Sequence, residues 1–284
     1  MENIPIHNFL VDDESSIPFQ LIRLSKEGSY DTSVPHRHNY YEVFIFEVGG
    51  GNHLIDFSSF PIQSRSIHFV SPGQVHCVSR NECSKGFVLL FSRDFYSNNH
   101  KALTQFPFLN NNSSRPILNL NQNEFKALLE LIFTIRAEQD STEIMAKELI
   151  KLHLSSFLIY CKRYFNDKEG INTVFNDSLS FRFKQAVEEN YLKMQNVSDF
   201  AAELNVSEKQ LATATKKDYG KTPKELIHER LILEAKRLVL HTSYSFQEIA
   251  FFLNFTDASH FAKFFKSKTA CSPGQYREKE EKYP

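Results

Sequence analysis

One local pattern occurs twice between Ser178 and Arg277, and that repeat limits the fold more than any other feature of the chain. The first copy runs from Asn196 to Ser207 and is followed by a polar helical stretch to Gly220. The second runs from Ser245 to Thr256, with another helical stretch to Thr269. Asn196 aligns with Ser245, Asp199 with Glu248, Ala201 with Ala250, Leu204 with Leu253 and Ser207 with Thr256. Each copy predicts a short helix, a tight turn and a second capped helix, the helix-turn-helix layout. An αα-hairpin that occurs once is common; the same hairpin repeated with its caps is a specific signal.

The boundaries of these helices are written into the side chains. Ser207 with Gln210, and Ser245 with Glu248, form capping boxes in which hydroxyl and third-position side chain satisfy orphan N–H groups. Thr222-Pro223 before Glu225, and Ser272-Pro273 before Gln275, add proline at the first helical position. Between the repeats, Pro223 to Leu240 predicts one continuous helix with Leu226, Ile227, Leu231, Ala235, Leu238 and Val239 as its apolar stripe. Such a rod holds its two flanking units at a fixed separation, as a flexible linker does not.

In a helix-turn-helix the second helix offers its N-terminal residues to base edges in the major groove, so the expected partner is double-stranded DNA. Ala201 and Ala250 stand where paired helices approach, and Leu211 and Phe261 anchor the second helices. That leaves Lys209, Ala212 and Thr213 in the first copy, and Ala258, Ser259 and Lys263 in the second, as candidates for base readout. Lys216, Lys217, Lys221, Lys266 and Lys268 are the candidates for phosphate contacts. The net charge of -1 does not announce a nucleic-acid binder, but residues 178–284 carry 17 Lys+Arg against 14 Asp+Glu. The positive balance therefore lies in the half that needs it.

The first half has a different punctuation. Phe19–Leu24, Tyr40–Val48, Asn52–Phe57, Ile67–Val70 and Gly86–Phe91 are aromatic or β-branched runs separated by Gly, Pro, Ser and Asn, with a sharp turn at Gly49 to Gly51. Short strands at close spacing predict a small barrel or sandwich. Ser92 to Gln122 reads as a long loop crossing it, and helical periodicity then predicts helices at about 123–138 and 142–164. The expected organisation is α+β. Residues 1–164 form a sensor or dimerisation domain, 165–177 a polar linker, and 178–284 an all-α double helix-turn-helix domain. The second helix is apolar over a wide arc, enough to cover the barrel and also pair with a second subunit in a homodimer.

A second constellation lies in the first half: His36-Arg37-His38, Glu42 four residues on, and His76 after Pro72-Gly73. It resembles the metal-binding pattern of cupin barrels, and imidazoles with a carboxylate suit Fe, Mn, Ni or Zn. Strand alternation puts His36 and His38 on one face. The second half of the pattern is degraded, with Ser66 where cupins have glycine, so His36, His38, Glu42 and His76 are metal candidates without metal being the favoured occupant. Cys77, Cys83, Cys161 and Cys271 show no CxxC pairing and imply no disulfide framework. The N-terminal residues lack a signal-peptide pattern, and no run reaches the roughly 18 apolar residues of a membrane span. The expectation is a cytoplasmic protein without membrane contact, cofactor or catalytic residues.

Residues 178 to 277 resemble the DNA-binding domain of the AraC/XylS family of bacterial transcription regulators. The marks are Glu234-Ala-Lys-Arg-Leu238, Ser245-x-x-Glu-Ile-Ala250, Asn254-Phe255, His260-Phe-Ala-Lys-Phe-Phe-Lys266 and Ser272-Pro-x-Gln-Tyr-Arg277. The resemblance implies seven helices, two readers in successive major grooves, and activation of transcription through contacts with RNA polymerase. It also implies a cupin-like barrel that binds a small effector, with Arg37, Tyr40, Tyr41, Glu42 and His76 as the candidate pocket. A metal-dependent cupin enzyme or metal sensor carrying a DNA-binding domain is the alternative. Thr213 and Lys263 stand where the family carries Arg, Thr215 where it carries an aromatic, and Asn254 and Ala270 replace customary glycines. Thr cannot make the two-pronged contact of Arg to guanine, so the second copy is the stronger base reader.

Overall fold

The computed structural model describes residues 6–7, 19–24, 34–96, 103, 105–109, 116–169 and 178–281. The described residues before position 170 form one unit and those from 178 onward a second.

Ten short strands build the first unit: β1 (Ile6–His7), β2 (Phe19–Leu24), β3 (Arg37–His38), β4 (Tyr41–Val48), β5 (Gly51–Ile55), β6 (Ser58–Pro61), β7 (Ser66–Val70), β8 (His76–Arg80), β9 (Lys85–Phe91) and β10 (Ile117–Asn119). A five-stranded sheet in the order β10-β7-β4-β9-β2 faces a three-stranded sheet, β6-β5-β8, and β1 pairs with β3. Strand β4 reads as a nearly continuous apolar run because both of its faces are covered. Tyr41, Val43 and Ile45 point outward with Ile67, Phe69, Phe87, Leu89 and Phe91. Phe44 and Phe46 point inward with Val70, Val88 and Leu90, and meet Ile55 and Val78 of the smaller sheet. The turn into β5 uses two glycines that no other residue replaces easily, Gly50 at φ 129° and Gly51 at φ 101°.

Two helices cover the outer face: α2 (Gln122–Gln139) and α3 (Ala146–Glu169), after the short α1 (Arg93–Tyr96). Asn121 and Glu124 form a capping box that starts α2. From α2, Phe125, Leu128, Ile132 and Ile135 enter the core, and from α3, Ile150, Leu154, Phe157, Leu158, Cys161 and Phe165. At the edge of the sheet, Arg136 Nη1 and Gln139 Nε2 both donate to the Leu21 carbonyl at 3.2 Å, occupying part of an otherwise exposed strand edge.

Three expectations change here. Phe165 to Glu169 continue α3, so the start of the expected linker is helical; residues 170–177 lie outside the described residues. The stretch read as a crossing loop instead supplies β10 to the sheet edge, a 3-10 turn at Pro107–Leu109, and core residues Leu103, Phe106, Phe108 and Leu109. A three-residue strand within Asn, Ser and Pro leaves no periodicity to read. His76 begins a strand, β8, in a stretch where no strand was expected.

Seven helices form the second unit: α4 (Leu179–Asn190), α5 (Val197–Glu203), α6 (Glu208–Tyr219), α7 (Pro223–His241), α8 (Phe246–Phe252), α9 (Ala258–Thr269) and α10 (Pro273–Glu281). Helix α7 has 19 residues and is thus about 28 Å long. Its first half packs Leu226, Ile227 and Leu231 against α4, α5 and α6. Its second half packs Ala235, Leu238 and Val239 against α8 and α9. One rod therefore serves two cores, and the fold is α+β: a first unit of separate sheets with trailing helices, in which the described strands do not close the expected barrel, and an all-α double helix-turn-helix second unit.

Candidate nucleic-acid interface and histidine cluster

The two readers are α5–α6 and α8–α9. Both turns use the same hydrogen bonds: Leu204 N–H donates to Phe200 O and Val206 N–H to Ala201 O, matched by Leu253 to Ile249 and Phe255 to Ala250. Asn205 at φ 55° and Asn254 at φ 60° supply the left-handed residue, a conformation Asn reaches more readily than other non-glycine residues. One residue then separates the copies. Ser207 caps α6 three positions after Leu204, whereas Asp257, four positions after Leu253, caps α9. Ser207 is therefore equivalent to Asp257 rather than Thr256, and Lys209 to Ser259, Thr213 to Lys263 and Lys216 to Lys266.

The anchors lie where the spacing puts them: Leu211, Phe261 and Phe265 are fully buried, and burying each is worth about 1.5–3 kcal/mol. The equivalent of Phe265 is Thr215, also fully buried, whose hydroxyl donates to Ala212 O at 3.3 Å. On the opposite faces, Lys209, Ala212 and Thr213 are exposed on α6; Ser259 and Lys263 are exposed on α9, with Ala258 half-buried at its first position. Thr213 spends its hydroxyl proton on Lys209 O at 2.9 Å, which leaves it only acceptor capacity outward. Lys209 and Thr213 line an open hollow with Ser207, Gln210, Ala214 and Lys217. Among the phosphate candidates, Lys217, Lys266 and Lys268 are exposed, while Lys216 Nζ donates to Gly220 O at 2.9 Å and Lys221 pairs with Glu229 at 2.6 Å.

Between the readers a buried ion network locks the rod. Arg230 donates to Glu188 at 2.9 Å and to Glu234 at 3.0 Å, Arg237 to Glu234 at 3.3 Å, and the Arg230 guanidinium lies 3.8 Å over the Tyr191 ring. Burial opposes the charge on Arg230, but Glu188 and Glu234 more than offset it and hold its pKa above the ordinary value. Arg277 closes the far end, donating to Val239 O at 2.7 Å and Tyr244 O at 3.0 Å.

In the first unit His36, His38, Glu42 and His76 come together and are all buried. His38 Nε2 lies 3.1 Å from Glu42 Oε2 and 3.1 Å from His76 Nε2, and His76 Nε2 lies 3.0 Å from Glu42 Oε2. Tyr40 stacks on His38 at 4.1 Å, and burial pushes its phenol up to about 12. Arg37 is half-buried, and Tyr41 lies on the other face of the sheet, stacked on Phe91, so it does not share a space with Tyr40, Glu42 and His76.

Two further imidazoles extend the cluster. His53 Nε2 is 3.2 Å from His76 Nδ1, and His53 Nδ1 is 3.1 Å from His68 Nδ1, whose Nε2 lies 3.2 Å from Ser66 Oγ. Burial lowers the His68 pKa to about 3; burial and the neighbouring imidazoles push His53 well down, so both are neutral near pH 7. Sequence reasoning missed them, although alternation within β5 and β7 does place His53 with Ile55, and His68 with Ser66 and Val70, on the inward face.

A helix-turn-helix domain model matches residues 200–279, spanning both readers and the rod. The HTH-type transcriptional activator RhaR of Mannheimia succiniciproducens is 20% identical over 95% of this chain and 95% of its own length, so the likeness includes the first unit. These likenesses support the AraC/XylS resemblance carried by the sequence. The HTH-type transcriptional activator RhaS of Escherichia fergusonii is 24% identical over 86% of this chain and 87% of its own length. A crystal structure of ToxT from Vibrio cholerae O395 is 21% identical, covers 92% of this chain and 97% of its own, and has a TM-score of 0.42. Among the described residues, no helix is long and apolar enough to cross a membrane.

Proposed function

We infer that the chain is a sequence-specific, DNA-binding transcription regulator that acts as an activator in the cytoplasm, without enzymatic activity. Two capped readers set on the two halves of one buried-core rod carry this reading. Their separation is governed by a helix of about 28 Å, near the roughly 34 Å between successive major-groove faces of DNA. In this reading Ala258, Ser259 and Lys263 read bases, with Lys209, Ala212 and Thr213 as the weaker set. Lys217, Lys266 and Lys268 take phosphates; Lys216 and Lys221 join them on exchanging their internal partners.

The RhaR and RhaS relatives are named activators, which favours activation and a contact with RNA polymerase. A homodimer is favoured by α3. Met145, just before it, and Leu149, Leu152, Ile159 and Tyr160 are exposed at helical spacing on a helix whose other side fills the core. The buried polar cluster of the first unit is the place for a small effector. Hydroxyl-radical footprinting on a site selected by the full chain from random DNA tests this reading. The expected result is two protected patches per protomer, one helical turn apart on one face, and four patches for the dimer. A single patch overturns the double-reader assignment.

A further inference from the structure

The open hollow on α6 lies on the reading face of the first reader, since the base-readout candidates Lys209 and Thr213 both line it. Its other walls are Ser207, Gln210, Ala214 and Lys217. With Ser207 equivalent to Asp257, Ala214 corresponds to Phe264 and Lys217 to Ser267. Phe264 is a large ring that packs against both cores of the second unit, its centroid 5.1 Å from that of Phe255. A methyl group in place of that ring leaves open space beside α6. Lys209, Thr213 and Lys217 follow one another at four-residue spacing, so the two lysine stems stand about one turn to either side of Thr213.

The polar groups around this space are already committed. Thr213 gives its hydroxyl proton to Lys209 O at 2.9 Å, which leaves it no donor and leaves its methyl group beside the hollow. Gln210 Oε1 accepts from Ser207 N–H at 2.9 Å and from the Ser207 hydroxyl at 2.8 Å. The two-pronged contact of a glutamine to adenine needs that oxygen as well as the amide nitrogen, so the capping box removes it. What remains facing a base pair is apolar: the Thr213 methyl, the Ala214 Cβ and the lysine stems, whose ammonium groups reach past them toward phosphate. The major groove offers one apolar group, the 5-methyl of thymine. A methyl gains by burial here, whereas a polar base edge gives up water without finding a partner.

We propose that the first reader recognises thymine by its 5-methyl group, seated in the hollow between Lys209 and Lys217 against the Thr213 methyl and Ala214. The assignment rests on the DNA-binding reading and gives its weaker half a chemistry of its own. The second reader works in the opposite way: Phe264 occupies the equivalent of Ala214, and Ser259 and Lys263 offer hydrogen-bond donors.

The test measures binding of the full chain to a site it has selected from random DNA, with each thymine replaced in turn by deoxyuridine, which lacks only the methyl. One or two positions, confined to one of the two protected patches, should lose about 4-fold in affinity, the contribution of one buried methyl. T213V keeps a methyl and drops the hydroxyl, so that penalty should persist. T213S keeps the hydroxyl and drops the methyl, so the penalty should shrink. The proposal is overturned if the penalty is unchanged in T213S or abolished by T213V. A selected site that is indifferent to every deoxyuridine overturns the proposal alone. A chain that selects no site from random DNA overturns the regulator reading, and the proposal with it.

Discussion

Asn254 and Ala270 show how a single position carries both a fold constraint and a cost. Each occupies the left-handed region, at φ 60° and 64°, and the residue equivalent to Ala270 in the first reader is Gly220 at φ 68°. Asn reaches this region readily, whereas Ala pays about 1 kcal/mol for its Cβ. Ala270→Gly removes that strain and returns some of the gain through a more flexible unfolded chain, so denaturant unfolding should show stabilisation of about 0.5–1 kcal/mol. No change, or a loss, contradicts the assignment of this helix cap. At this scale the sequence was uneven to read. His36, His38, Glu42 and His76 were legible from their spacing, and the structure does bring them together. His53 and His68 were not, because an isolated histidine inside a strand carries no spacing signal; it becomes informative only once the register pairs Phe44 with His68 and sets both sheets face to face. Tyr41, one of the five pocket candidates, is sent by strand alternation to the other face.

Among the elements, α7 was the most legible and is the most consequential. Pro223 at its first position, the Thr222–Glu225 box and an unbroken stripe define it from sequence, and its ends fall within a residue of expectation. Less legible was the charge inside it. Arg230, Glu234 and Arg237 lie outside the apolar stripe, yet all are buried, because α4 and its cap bring Glu188 and Tyr191 against Arg230. Glu234 answers two guanidinium groups at the junction of the two reader cores. Glu234→Gln removes the buried carboxylate that Arg230 and Arg237 share, leaving Glu188 on Arg230, and should cost about 3–5 kcal/mol in equilibrium unfolding. A loss below about 1 kcal/mol would mean that water reaches the junction. The turns explain the remaining misreading: the repeats align with one offset through Leu253, then α9 starts one residue later than the pattern requires, at Asp257. Thr256 and Asp257 are both good caps, so composition alone does not choose between them.

For the whole molecule, the two units divide the work by chemistry. The first gathers five buried histidines and Glu42 into one cluster; the second offers exposed Lys, Ser and Thr on two helices whose opposite sides are locked into shared cores. Little of this was visible in net charge, since the whole chain stands at -1. DNA recognition here depends on where a few donors sit rather than on bulk charge. Inequality of the two readers follows from Thr213 and its equivalent, Lys263: the first has its proton committed to its own helix, and the second is an exposed cation. The most direct measurement is therefore binding of the full chain carrying S259A and K263A together to its selected site and to unrelated DNA, across a salt series. The account predicts that preference for the selected site falls by about 1–3 kcal/mol per lost base contact, while weak, salt-sensitive binding to both DNAs survives. A double variant that discriminates as well as the wild type would contradict it.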